Sequence, residues 1–112
     1  MHDNYSESSF KITIAFLLAR IWLLDNDIKM NPKNEKGFTA LVQDFIYKMD
    51  KQAMARQTSY NFEKRQRHNN KAFVKMKFYL DKFGWDKFME GITMYYSYFD
   101  SCMMVLLPPT SA

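Results

Sequence analysis

The residues with the clearest chemical meaning are positively charged and lie in one stretch of the chain. Seven of the sixteen lysines and arginines fall between Glu63 and Lys82, where only Glu63 and Asp81 oppose them. Seven positive minus two negative residues give this window a net charge of +5, against +4 for the whole chain. At about 100° per residue, one side of a helix through this window collects six side chains: Lys64, Arg67, His68, Lys71, Lys75 and Lys82. Such a row of cations predicts a polyanionic partner.

The opposite side of the same window is mostly apolar, and one aromatic residue interrupts the cationic side. The apolar side holds Phe62, Asn69, Phe73, Met76, Leu80 and Phe83. Phe78 falls between Lys75 and Lys82, where its ring could stack on an unpaired base, an interaction worth about 1–3 kcal/mol. Arg65 and Lys77 point to one flank, toward a second row of phosphates or toward acidic residues of a neighbouring helix. The alternative is an ordinary solvated face whose lysines keep the protein soluble, with Phe78 covered by another helix.

Residues that serve catalysis or metal binding are sparse in this chain. Of the two histidines, His2 is close to the N-terminus, and His68 is surrounded by arginines and a lysine whose charges suit neither a general base nor a metal ligand. The single cysteine, Cys102, lies in an apolar run, where a thiol is normally inert. The three glycines are isolated and form no phosphate-binding loop. We therefore expect no enzyme, and no metal, cofactor or small-molecule substrate.

Aromatic and methionine residues near the C-terminus predict contacts with other proteins. Tyr95 and Tyr98 lie off the main apolar stripe of their predicted helix, and tyrosine combines a large contact area with a polar tip. The run from Cys102 to Leu107 is apolar on all sides and belongs to a chain with nine methionines. The predicted contact residues are Tyr95, Tyr98, Met103, Met104 and Leu107. In the alternative interpretation, the tyrosines cover a small core and the end of the helix is enclosed in the bundle.

The elements that must position these residues are predicted to be helices. Only three glycines and three prolines interrupt a chain of 112 residues, of which 47% are hydrophobic. We predict an all-α fold and a single domain, residues 1–112, with about four helices in a compact bundle at residues 8–24, 35–55, 59–83 and 85–107. The first helix is apolar almost all round, which predicts a central, covered position. Thr58 or Ser59 is placed to cap the third helix, and Gly84 is placed to end it.

The apolar run from Phe10 to Leu24 raises the question of a membrane segment or a signal peptide. Its fifteen residues include Lys11 and Arg20, whereas a membrane-spanning helix needs about 20 apolar residues. The residues before it lack the basic leader of a signal peptide. A single cysteine excludes an internal disulfide and fits a reducing compartment. We therefore expect a cytoplasmic protein without a membrane partner.

The first half of the basic window lacks a core of its own. From Glu63 through Lys71 there is no apolar side chain, so burial alone cannot hold this stretch as a helix. It is predicted either to protrude as a helical arm or to become ordered on a partner. A bound polyanion would satisfy both the charge of the window and its need for a partner.

The stretch from Phe62 to Phe73, followed by the aromatic helix from Trp85, resembles the small all-helical subunit of multi-subunit CRISPR effector complexes. The resemblance is one of architecture and extends over most of the chain. It implies a subunit that stacks along a larger complex and touches copies of itself and the backbone proteins. It also implies that basic side chains hold a guide–target duplex or a displaced strand.

Together these observations predict a non-catalytic nucleic-acid-binding helical module, a small subunit of a larger ribonucleoprotein that binds RNA or DNA. The phosphate contacts are assigned to Lys64, Arg67, Lys71, Lys75 and Lys82, with Arg65 and His68 assisting and Phe78 stacking on a base. Sequence-specific reading is not expected, because no base-reading set stands out apart from Asn69 and Asn70. Two alternatives stay open. One is a protein-binding adaptor or inhibitor of phage or plasmid type that docks on an acidic surface of a host protein. The other is a helix bundle that lies on a membrane surface through its first helix.

Overall fold

The computed structural model describes residues 7–106 of the chain, and this range contains six α-helices, one 3₁₀ turn and no β-strand. The helices are α1 (Glu7–Asp25), α2 (Pro32–Met49), α3 (Lys51–Ala55), α4 (Thr58–Asn69), α5 (Lys71–Met94) and α6 (Phe99–Leu106), and the 3₁₀ turn is Tyr96–Tyr98. The all-α class is confirmed. The number of helices is higher than the predicted four because the predicted helices 35–55, 59–83 and 85–107 are each divided, although parts of the last two are joined in α5.

Polar side chains that cap the next helix cause two of these divisions. Asp50 has an extended backbone, and its carboxylate accepts hydrogen bonds from the amides of Gln52 and Ala53 at the start of α3. Asn70 is likewise extended, and its Oδ1 accepts from the Phe73 amide at 3.1 Å at the start of α5. Asp and Asn compete with the helix for backbone hydrogen bonds, so they break it without any Gly or Pro.

Three further boundaries in the helices lie at Asn31, Gln57 and Gly84. Asn31 accepts a hydrogen bond from the Asn34 amide at 2.8 Å, and with Pro32 in the first turn this starts α2 three residues before the predicted position 35. The prediction of a Thr58 or Ser59 cap was wrong. Gln57 precedes α4 with a left-handed backbone, and the hydroxyl of Thr58 donates to the Ala53 carbonyl instead. Gly84, with φ of 85°, interrupts α5 where the third predicted helix was to end.

The core lies between α2 and α5, and the other helices pack around this pair. Its largest fully buried side chains come from α5 and α6 and include Phe73, Met76, Phe88 and Phe99. The rings of Phe88 and Phe99 meet edge to face, with centroids 5.6 Å apart, and this contact holds α6 on the second half of α5. The centre of the protein is therefore the basic helix itself, which has one face in the core and one in solvent.

The predicted central position of α1 was wrong. This helix packs on α2 through one narrow row of residues, Ile12, Ala15, Ala19 and Leu23, each at most 6% exposed. Its opposite face is in water, where Leu18 is 58% and Leu24 is 76% exposed. An apolar composition on all sides does not say which side is covered, and α1 lies at the edge of the bundle. Within residues 7–106, every helix is too short or too polar to cross a bilayer.

The stretch predicted as a protruding arm is instead packed against α2. Phe62 is 5% exposed, and its ring lies 5.0 Å from the ring of Tyr47, between centroids. The next residue, Glu63, pairs with Lys48 at 2.9 Å. One aromatic residue and one ion pair to α2 thus replace the apolar stripe that the sequence lacks here.

Candidate nucleic-acid interface

The break at Asn70 divides the basic row between two helices. Lys64 and His68 are exposed on α4, on the side opposite the buried Phe62 by helical spacing. Lys71 and Lys82 are exposed on α5, opposite the buried Phe73. The single continuous row predicted from one helical wheel is therefore wrong, because a helical wheel holds only as far as the helix is uninterrupted.

On α4, the two arginines are engaged within the chain. Arg67 forms an ion pair with Glu63, one turn earlier, at 2.8 Å. The guanidinium of Arg65 lies over the ring of Phe62, 5.9 Å from its centroid. Arg67, predicted to contact phosphate, and Arg65, predicted to assist, thus have local partners, whereas Lys64 and His68 are exposed.

A charge network around the buried Asp44 anchors α4 on α2. Lys48 Nζ lies 3.0 Å from Asp44 Oδ2 and 2.9 Å from Glu63 Oε1. Asp44 is only 2% exposed, and burial raises the pKa of its carboxyl, although the hydrogen bond with Lys48 opposes this shift. For Glu63, burial also acts to raise the pKa, but hydrogen bonds with Lys48 and Arg67 outweigh it, and the net pKa is lowered. This network stabilises the packing of α4 on α2, and both of its cations, Lys48 and Arg67, already have acidic partners.

On α5, the solvent face keeps an aromatic residue among lysines. Phe78 is 50% exposed, and its ring contacts that of Tyr79 with centroids 5.7 Å apart. Half of the ring is therefore in solvent on the same side as Lys71 and Lys82. Lys77, predicted to lie on the flank, pairs with Asp81 of its own helix at 3.5 Å.

Lys75 is a structural residue in this fold. Its Nζ lies 2.8 Å from Asn34 Oδ1 and 2.7 Å from Asp100 Oδ1. One ammonium group thus ties α5 to the first turn of α2 and to α6. The phosphate contact predicted for Lys75 stays a prediction, and its charge is already matched by Asp100 within the chain.

A cleft opens between the first turns of α2 and α5, and we call it the lysine cleft. It encloses about 300 Å³ and is lined by Lys33, Lys36, Asn69, Asn70, Lys71, Ala72 and Lys75. Four of these seven residues are lysines and none is acidic, although Asp100 touches Lys75 from outside the lining. Both helices begin at this cleft, so the positive ends of two helix dipoles add to its field.

Two contacts hold the walls of the lysine cleft in place. A Cβ placed on Gly37 would lie 2.7 Å from the carbonyl carbon of Ala72, so α2 and α5 touch backbone to backbone. The side-chain amide of Asn70 donates to the carbonyl of Lys36 at 3.3 Å and to Gln66 Oε1 at 3.1 Å. The break between α4 and α5 is therefore fastened directly to α2.

Sequence reasoning missed Lys33 and Lys36 because they were placed in or next to a linker. The signals were present in Asn31-Pro32, which starts a helix, and in Gly37, which permits close approach of another backbone. A helix from residue 32 would have put both lysines in its first two turns. Which basic residues would face them could not be inferred from spacing alone.

The predicted protein-contact residues are only partly at the surface. Tyr98 is 57% and Met104 is 63% exposed, and the rings of Tyr95 and Tyr98 contact each other at 5.8 Å between centroids. Met103 is fully buried, which corrects its assignment to a contact surface: α6 folds back on α5 and turns this side chain into the core. Leu107 lies outside the described residues.

In the described part of the chain, no three His, Cys, Asp or Glu side chains come together as a metal-binding group. Comparison with known proteins does not assign the chain to a group: no family model, no curated protein and no solved structure matches it. The functional argument therefore rests on the lysine cleft and the outer face of α5.

Proposed function

We propose that this chain is a non-catalytic nucleic-acid-binding helical module that holds the phosphate backbone of RNA or DNA. The observation that carries the proposal is the lysine cleft, where four lysines from two helices converge without an acidic residue in the lining. Phosphates neutralise such charges, and release of their condensed counterions supplies much of the affinity. Lysine acts here as a point charge, so binding is expected to be independent of sequence.

Three lysines of the cleft are assigned to phosphates. Lys33, Lys36 and Lys71 are exposed, whereas Lys75 supports them from a fixed position. From Lys71 the surface continues along α5 to Phe78 and Lys82. Eleven residues of helix span about 16 Å, which is long enough to follow several phosphates. Lys64 and His68 on α4 would assist at the other end.

Salt-dependent binding tests this proposal. A fluorescent oligonucleotide is titrated with the protein at several salt concentrations, and the logarithm of the binding constant is plotted against the logarithm of the salt concentration. The variant Lys36→Gln/Lys71→Gln removes one charge from each wall of the cleft. We expect the slope to become shallower by about 1.8 for duplex DNA and about 1.4 for a single strand.

The matched control is Lys51→Gln/Lys87→Gln, which removes the same charge from exposed positions outside the cleft lining. It should leave the slope near that of the wild type. A cleft variant with the wild-type slope, or a control with the same loss as the cleft variant, would contradict the proposal.

The same proposal places the chain in a larger ribonucleoprotein, as the resemblance to the CRISPR small subunits implies. Exposed apolar residues such as Tyr98 and Met104 support contacts with neighbouring subunits. Purification from source cells with and without nuclease tests this assignment. Partner proteins that are lost on nuclease treatment would support assembly around a nucleic acid.

A protein-binding adaptor is the second candidate, and an apolar groove favours it. This groove, of about 510 Å³, lies between α1, α2 and the second half of α5, where Trp22, Phe38 and Trp85 contribute to its walls. Apolar side chains of a protein could fill it, whereas a phosphate backbone could not. Poly-glutamate can stand in for an acidic protein surface in a competition experiment. If it displaces an oligonucleotide at equal charge concentration, the lysines bind an acidic protein as well as a nucleic acid, and this result would favour the adaptor.

A further inference from the structure

The lysine cleft concentrates more positive charge than one internal phosphate of a strand can match. Lys33 and Lys36 are neighbours on α2 at a spacing of three residues, and Lys71 and Lys75 are neighbours on α5 at a spacing of four. In the described part of the chain, Asp100 pairs with Lys75, but no acidic side chain pairs with the other three lysines. These three charges meet around about 300 Å³, whereas each phosphodiester carries a single negative charge.

One carboxylate of α2 is close in sequence to the cleft lysines, and it is engaged elsewhere. Glu35 lies in the first turn of α2, but its Oε2 pairs with Arg20 of α1 at 2.9 Å, and it is absent from the lining of the cleft. Like charges three or four residues apart on a helix destabilise it. The repulsion among the cleft lysines is therefore uncompensated within the described residues, and a bound anion would remove it.

The shape of the lysine cleft favours the end of a chain over its middle. Ala72 belongs to the lining and touches Gly37 of α2 backbone to backbone, so the cleft is closed on this side. An internal phosphate is joined to the strand in two directions, whereas a terminal phosphate is joined in one. About 300 Å³ is also the lower limit of sites for small ligands. The cleft thus accommodates one terminal group, and a continuous strand could only lie across its mouth.

We infer that the lysine cleft binds the terminal phosphate of a nucleic-acid strand, and that the rest of the strand leaves along the outer face of α5. This inference rests on the proposed function. A terminal phosphate is a monoester with a charge of about −1.5 to −2 at pH 7, so it matches the converging lysines better than a diester does. The positive ends of the α2 and α5 dipoles add to the same field.

The exposed face of α5 favours a nucleic acid as the carrier of this phosphate. From Lys71, the helix reaches Phe78 after about 10 Å and Lys82 after about 16 Å. Phe78 is 50% exposed and Lys82 is exposed. A base near the phosphate end can therefore stack on the Phe78 ring, and a further phosphate of the same strand can reach Lys82.

Strands of one sequence with different ends test the inference. A single strand with an internal fluorophore is prepared with a 5′-phosphate, with a 3′-phosphate or with hydroxyls at both ends. A hydroxyl-ended strand two nucleotides longer has nearly the same total charge as the phosphate-ended strands and serves as the reference. We expect a phosphate-ended strand to bind about tenfold more tightly than this reference. The end that shows the preference, 5′ or 3′, is the end that enters the cleft.

The variant Lys36→Gln/Lys71→Gln should abolish this preference, so that the phosphate-ended strand and the reference bind equally. Both residues are exposed, and circular dichroism can verify that the fold is retained. The matched control is Lys64→Gln/Lys82→Gln, which removes two exposed lysines outside the cleft lining. It should weaken both strands and leave the tenfold ratio between them unchanged.

Abasic substitution tests the path of the strand along α5. An anchored end fixes which base lies over Phe78, whereas a strand held only by its internal phosphates can slide. In the phosphate-ended strand, one abasic position among the first few nucleotides should weaken binding about tenfold, and Phe78→Leu should remove this effect. The hydroxyl-ended strand should show no such position. An even profile for the phosphate-ended strand would contradict the path along α5.

Three further outcomes overturn the inference. These are equal affinities for the phosphate-ended strand and the reference, a preference that survives in Lys36→Gln/Lys71→Gln, and a phosphoserine peptide that binds as tightly as the phosphate-ended strand. Equal affinities together with a shallower salt slope for Lys36→Gln/Lys71→Gln would overturn this inference and leave the proposed function in place. A wild-type slope for that variant would overturn both.

Discussion

Gly37 of α2 lies directly against Ala72 of α5, with space for a hydrogen atom but not for a methyl group. A Cβ at residue 37 would be 2.7 Å from both the carbonyl carbon and the Cβ of Ala72 and 2.8 Å from its carbonyl oxygen. This contact is what brings Lys33 and Lys36 on one helix into the same cleft as Lys71 on the other. A small residue next to Lys36 thus determines how closely the charges approach.

Gly37→Ala should destabilise the protein although alanine is the better helix former. The new methyl group meets backbone atoms of α5 that cannot rotate away, and overpacking of this kind costs about 1–3 kcal/mol. Urea denaturation would measure the loss. Adding Ala72→Gly removes only one of the three close atoms, so it should restore part of the stability. A Gly37→Ala variant as stable as the wild type would show that the helices do not touch here.

Asn70 should contribute through two separable hydrogen bonds. Asn70→Ala loses both the cap of α5 and the bond to the Lys36 carbonyl, with an expected cost of about 1–3 kcal/mol. Asn70→Asp keeps the acceptor for the Phe73 amide but cannot donate to Lys36, so its unfolding free energy should lie between those of wild type and Asn70→Ala. Its carboxylate also stands in the lysine cleft and should weaken oligonucleotide binding more than Asn70→Ala does.

Substitution of Lys75 should mainly lower stability, whereas substitution of Lys71 should mainly weaken oligonucleotide binding. Lys75→Met removes the partner of Asn34 and Asp100, and we expect a loss of about 1–2 kcal/mol in unfolding free energy, because the pair is only partly buried. Lys71→Met changes an exposed residue and should alter stability by less than about 0.5 kcal/mol. For oligonucleotide binding, Lys71→Met should reduce the salt dependence. If both variants changed stability equally, the distinction between the two lysines would be wrong.

Glu63 should make the protein less stable at acid pH than at neutral pH. The folded state lowers the pKa of this carboxyl below its ordinary value of 4.5. Its stabilisation is therefore present above pH 4.5 and is lost as the pH falls through the lowered value. Glu63→Gln should cost about 0.5–1 kcal/mol at pH 7 and should make the loss of stability on the acid side less steep. Denaturation curves between pH 3 and pH 7 would measure both effects.

Asp44 should act in the opposite direction, because burial raises the pKa of its carboxyl above 3.8. Its contribution decreases as the pH rises from 3.8 through the raised value. Glu90→Gln serves as a control for both residues, since it removes a carboxylate from the exposed surface. An acid limb of the stability curve that Glu63→Gln leaves unchanged would contradict the assignment to Glu63.

Phe78 should distinguish single strands from duplexes. Phe78→Leu keeps an apolar side chain on α5 but removes the ring face, so it should weaken binding of a single strand by about 1–3 kcal/mol if a base stacks there. A duplex has no unpaired base to offer, so its binding should hardly change. Phe45→Leu, at 46% exposure on α2, is the matched control. Equal losses for both nucleic acids would remove stacking from the proposal.

Much of the local structure could be predicted because it depends on neighbours in the chain. The helical class follows from apolar spacing and the scarcity of glycine and proline. The interruption at Gly84 and the start of α2 near Asn31-Pro32 follow from backbone preferences of single residues. The breaks at Asp50 and Asn70 were missed, since these residue types occur in many helices and become caps only when the backbone turns.

The sequence by itself determined the fold class, the helical periodicity and the excess of positive charge between Glu63 and Lys82. Only the tertiary structure decided which of those charges are paired within the chain and which face solvent. Lys75 is bound by Asp100 and Asn34, and Arg67 is paired with Glu63. Lys33 and Lys36 join the cleft from a distant part of the chain. It also decided that one face of α1 stays in water. The physical reason is that charge pairing and burial depend on which helices meet, and at Gly37 and Ala72 that meeting is set by the shape of two backbones.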